Sequence, residues 1–305
     1  MPNASEIKRR MSSVMDTRKI TNAMYLISSA KLRKAKQDLE HTRPYFKALQ
    51  AEVARIFRAV PSINNRYFYP PEGDPPLNGA YACLVITSDK GLAGTYNHNV
   101  IKLATDMIQK HEDMKLFVVG EYGRHHFHHM GIEVEESLVY PAQAPTLFYA
   151  REIANLLLER YNNREFEKIY IVYTDYISGL SSKPVSTRLL PFHQGSLGAT
   201  SGEEQPSFKF EPSIETVLDK VLFSYFSGFI YSALVDSFCS EQSARMTAMD
   251  AAIQNADAML QSLSTEYNRV RQVAITQEIT EIASGAKVQL KKKEREKKER
   301  EAKGL

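Results

Sequence analysis

The chain has 305 residues, 39 Lys and Arg against 36 Asp and Glu, and 43% apolar residues, enough for one large domain or two modest ones. Its near-balanced charge gives no compositional case for nucleic acid, and no uncharged run reaches the ~18–20 residues of a membrane span. The two cysteines, Cys83 and Cys239, fall in no CxxC or zinc-like spacing, so structural thiols in a reducing compartment are expected.

The N-terminal stretch EIKRRMSSVMDTRK lacks the apolar run of a secretory signal, although its basic, serine-containing composition also suits a mitochondrial transit peptide. No proline occurs between Pro2 and Pro44, and none after Pro212. Proline costs about 3 kcal/mol inside a helix, so both ends can be long helices while the middle cannot. Residues 1–60 are read as a helix that bends near Pro44 and continues through YFKALQAEVARIFRAV. Its apolar residues come as Ile7, Met11, Val14, then Ile20, Met24, Ile27, then Leu32, Ala35, Leu39, which are helical spacings with phase slips. Lys8, Arg9, Arg10, Arg18, Lys19, Lys31, Arg33, Lys34 and Lys36 make this helix basic, with Asp16 the acid among them. Such a run suits a solvated face, phosphate contacts or an acidic protein surface. Before Pro44, Tyr25 is its one aromatic residue, which disfavours single-stranded nucleic acid.

Residues 61–77 read as a linker. From 78 to 210 the pattern alternates. AYACLVIT, KLFVVG, KIYIVYTDY and VSTRLLPF are predicted strands, while NVIKLATDMIQK, EYGRHHFHHM and APTLFYAREIANLLLERY are predicted helices. That alternation predicts a central Rossmann-like α/β domain. HQGSLGATSGEEQPS reads as an exposed loop. In residues 211–286, Met246, Met249, Ile253, Ala256, Leu260, Leu263, Tyr267, Val270 and Ala274 follow spacings of 3 and 4 without a break, a coiled-coil seam. A helix from Ser213 to Ser284 would be roughly 105 Å long, too long for one small domain, and needs a partner. The N-terminal helix, laid antiparallel, is the expected one. The apolar stretch Val221 to Val235 is too short to span a membrane and reads as a helix buried in protein. The charged tail 287–305 has no apolar face and is expected to be disordered. The fold class expected is therefore mixed α and β: an antiparallel two-helix coiled coil formed by the chain ends, with a central α/β domain.

Three stretches invite chemistry. TSDKGLAGTYN (87–97) lies between a predicted strand and helix, where phosphate-binding loops occur, but it matches neither GxxxxGK[ST] nor GxGxxG. Gly91 and Gly94 read as a structural turn, and Asn97 as a cap of the following helix. HHFHH places His125 and His129 one turn apart with no carboxylate expected on the same face, so no metal is expected. No Ser/His/Asp or Cys/His set is traceable, so no catalytic residue and no cofactor is expected. An α/β nucleotide-using enzyme with coiled-coil arms remains the alternative, resting on fold class alone.

EIKRRMSSVMDTRKITNAMYLISSAKLRKA and SARMTAMDAAIQNADAMLQSLSTEYNRVRQVAITQEITEIASGA resemble the two signature segments of the F-type ATP synthase gamma subunit family, in its bacterial form, and TSDKGLAGTYN resembles its central-domain loop. The resemblance spans residues 5–286. It implies a non-catalytic rotor shaft that couples proton-driven c-ring rotation to conformational change in catalytic beta subunits. The implied partners are alpha, beta, epsilon and the c-ring, with no nucleic acid and no transmembrane segment. The implied location is peripheral, on the cytoplasmic face of the bacterial plasma membrane. Carried over onto this sequence, the shaft contacts with alpha and beta are Lys19, Thr21, Met24, Arg245, Arg271, Gln272, Thr276 and Glu278. Two departures stand out. Ala93 replaces the usual cysteine of GLCG, which favours a packing role for the loop, and the chain runs on past the usual end near SGA.

Overall fold

The structure is a computed structural model that describes residues 4–59, 67–68, 79–111, 113–179, 181–192, 210–211 and 213–302. The expected linker and the 193–207 loop fall almost wholly outside the described residues. The elements in order are α1 (Ala4–Ala59), β1 (Tyr81–Ile86), α2 (Tyr96–Ile108), β2 (Met114–Val119), α3 (Glu121–His129), α4 (Leu147–Asn162), β3 (Lys168–Ser178), β4 (Ser181–Leu190) and α5 (Ile214–Ala302). They form two compact units, Met24–Met249 and a second made of Met1–Ala23 with Asp250–Leu305. The larger unit thus takes in the sheet together with long stretches of both terminal helices, where the sequence suggested a separate 78–210 domain.

In that unit the strand order is β2-β1-β3-β4. β1 pairs parallel with both β2 and β3, and β4 closes one edge antiparallel to β3. β1 is buried on both faces, which is why YACLVI is a continuous apolar run without alternation. Its residues divide by the two-residue period of a strand. Ala82, Leu84 and Ile86 pack with Ile153 and Leu157 of α4, Leu222, Phe226 and Ile230 of α5, and Val53 and Ile56 of α1. Cys83 and Val85 pack on the other side with Val100, Ile101 and Ala104 of α2 and Phe127 of α3. α4 starts where Thr146 accepts a hydrogen bond from Tyr149 N (3.2 Å), an N-cap that satisfies one of the helix's unpaired donors. Burial pushes the Cys83 and Cys239 thiols up to about 12, so both are inert structural thiols.

The terminal helices meet inside this unit as well. Leu32, Ala35 and Leu39 of α1 pack with Val235, Phe238 and Cys239 of α5 and Tyr176 of β3. Arg43 pairs with the buried Asp236 at 3.1 Å, and the Phe46 ring lies so close to Gly228 that a Cβ there would strike it. Residue numbers rise on α1 as they fall on α5, so the two run antiparallel. The helix read to bend near Pro44 is assigned as one continuous helix, with Pro44 inside it on its exposed face and contacts to α5 on both sides of that residue. One described helix, α5, is apolar enough over one window to pass for a membrane span, but that window is mostly buried in protein.

The phase slips disappear in three dimensions. Positions 7, 11, 14, 18, 21, 25, 28, 32, 35 and 39 of α1 are all buried or half-buried, an unbroken alternation of 4 and 3. Ile20 and Ile27, taken as seam residues from the sequence, are 64% and 56% exposed. Their places belong to Arg18, Thr21, Tyr25 and Ser28. In the smaller unit Arg18 holds its position by a paired contact to Asp257 on α5, with Nε to Oδ1 at 2.5 Å. Thr21 turns its hydroxyl back onto Thr17 O at 2.9 Å. On α5 the seam behaves as expected from Met246 to Val270, all at least half-buried, but Ala274 is exposed. α5 then stays helical through Ala302, where a disordered tail was expected. The stretch is rich in Lys, Glu and Arg, straight-chain residues that lose little rotamer freedom in a helix.

Candidate partner-binding surface

The candidate surface has three parts, set by where the seam leaves side chains uncovered. The first is the far stretch of α5. From Arg271 to Lys293 every residue is exposed. Arg271, Gln272, Thr276 and Glu278 all lie here, among exposed Val273, Ile275, Ile279 and Ile282. The polar side chains are ordered along the helix. Thr276 Oγ1 donates to Gln272 O (2.9 Å), Thr280 Oγ1 to Thr276 O (2.8 Å), and Gln277 Nε2 to Glu281 Oε1 (3.1 Å). A bare helix with this many exposed branched aliphatics is a surface that calls for a partner.

The second part is the outward face of α1. Met15, Ile20, Leu26 and Ile27 are exposed, with Lys19 beside them and paired to Asp16 at 3.1 Å. Met24 is half-buried.

The third part, the 87–97 loop with Arg245, departs most from the sequence reading. Arg245 is 8% exposed and spends its guanidinium inside the chain. Nη1 donates to Glu241 Oε1 (2.6 Å), while Nη2 donates to Lys90 O (3.0 Å) and Gly91 O (3.1 Å). An arginine expected to reach a partner is instead the anchor of the loop. Burial pushes the Glu241 carboxyl up, and Arg245 opposes that shift. The turn itself is also built differently. Gly94 takes a positive φ of 55°, as a glycine turn should, but the second left-handed residue is Leu92 (φ 65°), not Gly91. A Cβ on Gly91 would make only ordinary contact with the Tyr122 ring. Asn97 lies inside α2 rather than capping it, and its Oδ1 accepts from Ser88 N and Oγ, both at 3.0 Å. The side chains of Ser88, Asn97 and Arg245 are thus committed to partners within the chain.

The four histidines line the exposed side of α3, whose buried side is Phe127 and Gly123. A carboxylate does share their face: Glu121 Oε2 lies 3.7 Å from His125 Nε2. Among the described residues, no group of three or more His, Cys, Asp or Glu side chains is placed to hold a metal.

A family model described as ATP synthase matches residues 3–288. The ATP synthase gamma chain of Acetivibrio thermocellus is 41% identical over 293 residues, covering 94% of this chain and 99% of that one. That of Ruminiclostridium cellulolyticum is 42% identical over 289 residues, covering 93% and 98%.

The chain belongs to the ATP synthase gamma family.

The fold agrees. The rotor chain of the Euglena gracilis mitochondrial ATP synthase superposes with a TM-score of 0.61, covering 89% of this chain and 98% of that one at 16% identity. The gamma-family match ends at residue 288, whereas α5 runs on to Ala302, so the last stretch of helix is an addition to the matched region.

Proposed function

We propose that the chain is the central rotor shaft of an F-type ATP synthase, in which c-ring rotation driven by proton flow is carried to the catalytic ring. The observation that carries this reading is the uncovered end of α5. From Arg271 to Lys293 the helix has no cover of its own and exposes Val273, Ile275, Ile279 and Ile282. A surrounding ring of alpha and beta subunits supplies that cover. Arg271, Gln272, Thr276 and Glu278 meet this ring, as do Lys19, Thr21 and Met24 on α1. The sheet unit meets epsilon and the c-ring, and the whole lies peripherally at the cytoplasmic face of the bacterial membrane.

The mechanism needs no chemistry from this chain. A shaft whose faces differ makes different contacts with each of three otherwise equivalent catalytic subunits. Each subunit's conformational equilibrium shifts by the difference in contact free energy between its states. Turning the shaft passes each face to the next subunit, and nucleotide affinity changes in sequence. The charged face of α1 suits acidic partner loops, where complementarity sets orientation.

The test is co-expression with alpha and beta subunits of a gamma-family relative. A stable complex that hydrolyses ATP supports the reading. A chain that remains alone and binds ATP or a dinucleotide tightly by itself contradicts it.

A further inference from the structure

The 87–97 loop is tied to more of the larger unit than a strand-to-helix turn requires. Asp89 accepts three backbone N–H groups from two separate segments. Ala142 N reaches Oδ1 (3.0 Å), Gln143 N reaches Oδ2 (3.0 Å), and Glu121 N at the start of α3 reaches Oδ1 (3.3 Å). Gln143 in turn accepts Lys31 Nζ of α1 at 3.3 Å. On the other side, Arg245 of α5 grips the Lys90 and Gly91 carbonyls, and its own charge is met by Glu241. A methyl group on Gly94 would already touch Ala244 O and Ala248 Cβ of α5. One short loop at the end of β1 is therefore fastened to α1, α3 and α5 at once.

The backbone supports the same conclusion independently. Leu92 sits at φ 65° with its side chain 65% exposed. A leucine in the left-handed region is a strained residue, and burial of its side chain does not compensate for that strain here. Such a conformation persists only where the surroundings over-determine it, and the Arg245 grip on the two preceding carbonyls does so.

We propose that this loop is the coupling strut of the molecule. Asp89 and Arg245 are positioning residues that fix the sheet to the stretches of α1 and α5 within the same unit, so that torque applied to the sheet passes to both helices without slip. The proposal rests on the rotor reading. It assigns the strut to carboxylate-to-backbone and guanidinium-to-carbonyl bonds, which are charge-assisted and directional, rather than to apolar contacts, which slide.

The experiment uses the complete membrane-bound complex in vesicles, with the chain carrying Asp89→Ala. The readout is ions transported per ATP hydrolysed. The vesicles are first washed free of detached catalytic ring, so a loss of folded or assembled protein lowers both rates together and leaves their ratio unchanged. The ratio is expected to fall at least twofold. Asp89→Asn keeps acceptor capacity on one oxygen only and is expected to fall less. An unchanged ratio in Asp89→Ala overturns the proposal. If that variant does not assemble, Lys31→Ala decides: it leaves the Asp89 bonds in place, cuts the tie to α1, and is expected to give a smaller fall in the same ratio, with no change overturning the strut. A wild-type complex that transports no ions on ATP addition overturns the rotor reading itself, and the two failures are thereby distinguished.

Discussion

At the scale of single residues, Asp236 is the group whose placement has the clearest consequence. Its side chain is 8% exposed, held by Arg43 at 3.1 Å and approached by Ser232 Oγ at 3.5 Å. Burial pushes its carboxyl from 3.8 up to about 6, against the pull of Arg43. Between those values the folded chain keeps a proton that the unfolded chain has released. Its contribution to stability is therefore greatest at the acid end, declines as pH rises through about 6, and is flat above. Asp236→Asn removes that slope. Its melting temperature should gain on the wild type as pH rises from about 4 to about 7, and parallel curves would contradict this. Lys19 and Arg18 separate in the same way. Lys19 is exposed and, among the described residues, pairs with Asp16 of its own helix turn, so Lys19→Ala is expected to leave the melting temperature of the chain unchanged while lowering ion transport per ATP in the complex. Arg18→Ala also cuts the contact to Asp257, so a fall in its melting temperature is expected too. None of this was legible beforehand: a residue's type and motif position identified Arg245, but not that its guanidinium turns inward to two carbonyls.

At the scale of elements, the strands and helices of the sheet unit were legible because burial writes itself into periodicity, as in YACLVI and the α4 pattern. The α5 seam was legible to Val270 for the same reason. The α1 seam was misread between 18 and 28, because its inward positions there are Arg18, Thr21, Tyr25 and Ser28 while isoleucines point outward. Apolar periodicity finds whichever face is apolar, and here the outward face of α1 also carries large apolar residues, Met15, Ile20, Leu26 and Ile27. A pair of substitutions checks the register. Leu32→Ala, at a buried seam position, should cost about 2–5 kcal/mol in denaturant unfolding of the isolated chain. Ile27→Ala, exposed, should stay within about 0.5 kcal/mol. Equal costs would place Ile27 back in the seam. The helical end of α5 makes a further distinction. Removing Lys291–Leu305 should reduce the helical circular dichroism signal yet leave assembly with alpha and beta intact, and loss of the complex would assign that segment a role in assembly.

At the scale of the whole chain, the long proline-free ends and the 3, 4 spacing announced two long paired helices, and the alternating middle announced a sheet with helices on both faces. What the sequence did not announce is where one unit stops. The larger unit takes the inner stretches of both helices because Leu32, Leu39, Val235, Phe238, Leu222 and Phe226 pack with the sheet elements, and only contacts far apart in sequence define such a boundary. The rotor reading stands or falls on motion. In a complex of this chain with alpha and beta subunits, the ring is fixed to a surface and a probe is attached to the exposed α3 face of this chain. The account predicts unidirectional rotation of the probe when ATP is added, stopping when ATP is removed. ATP hydrolysis by the same complex with a stationary probe would contradict it.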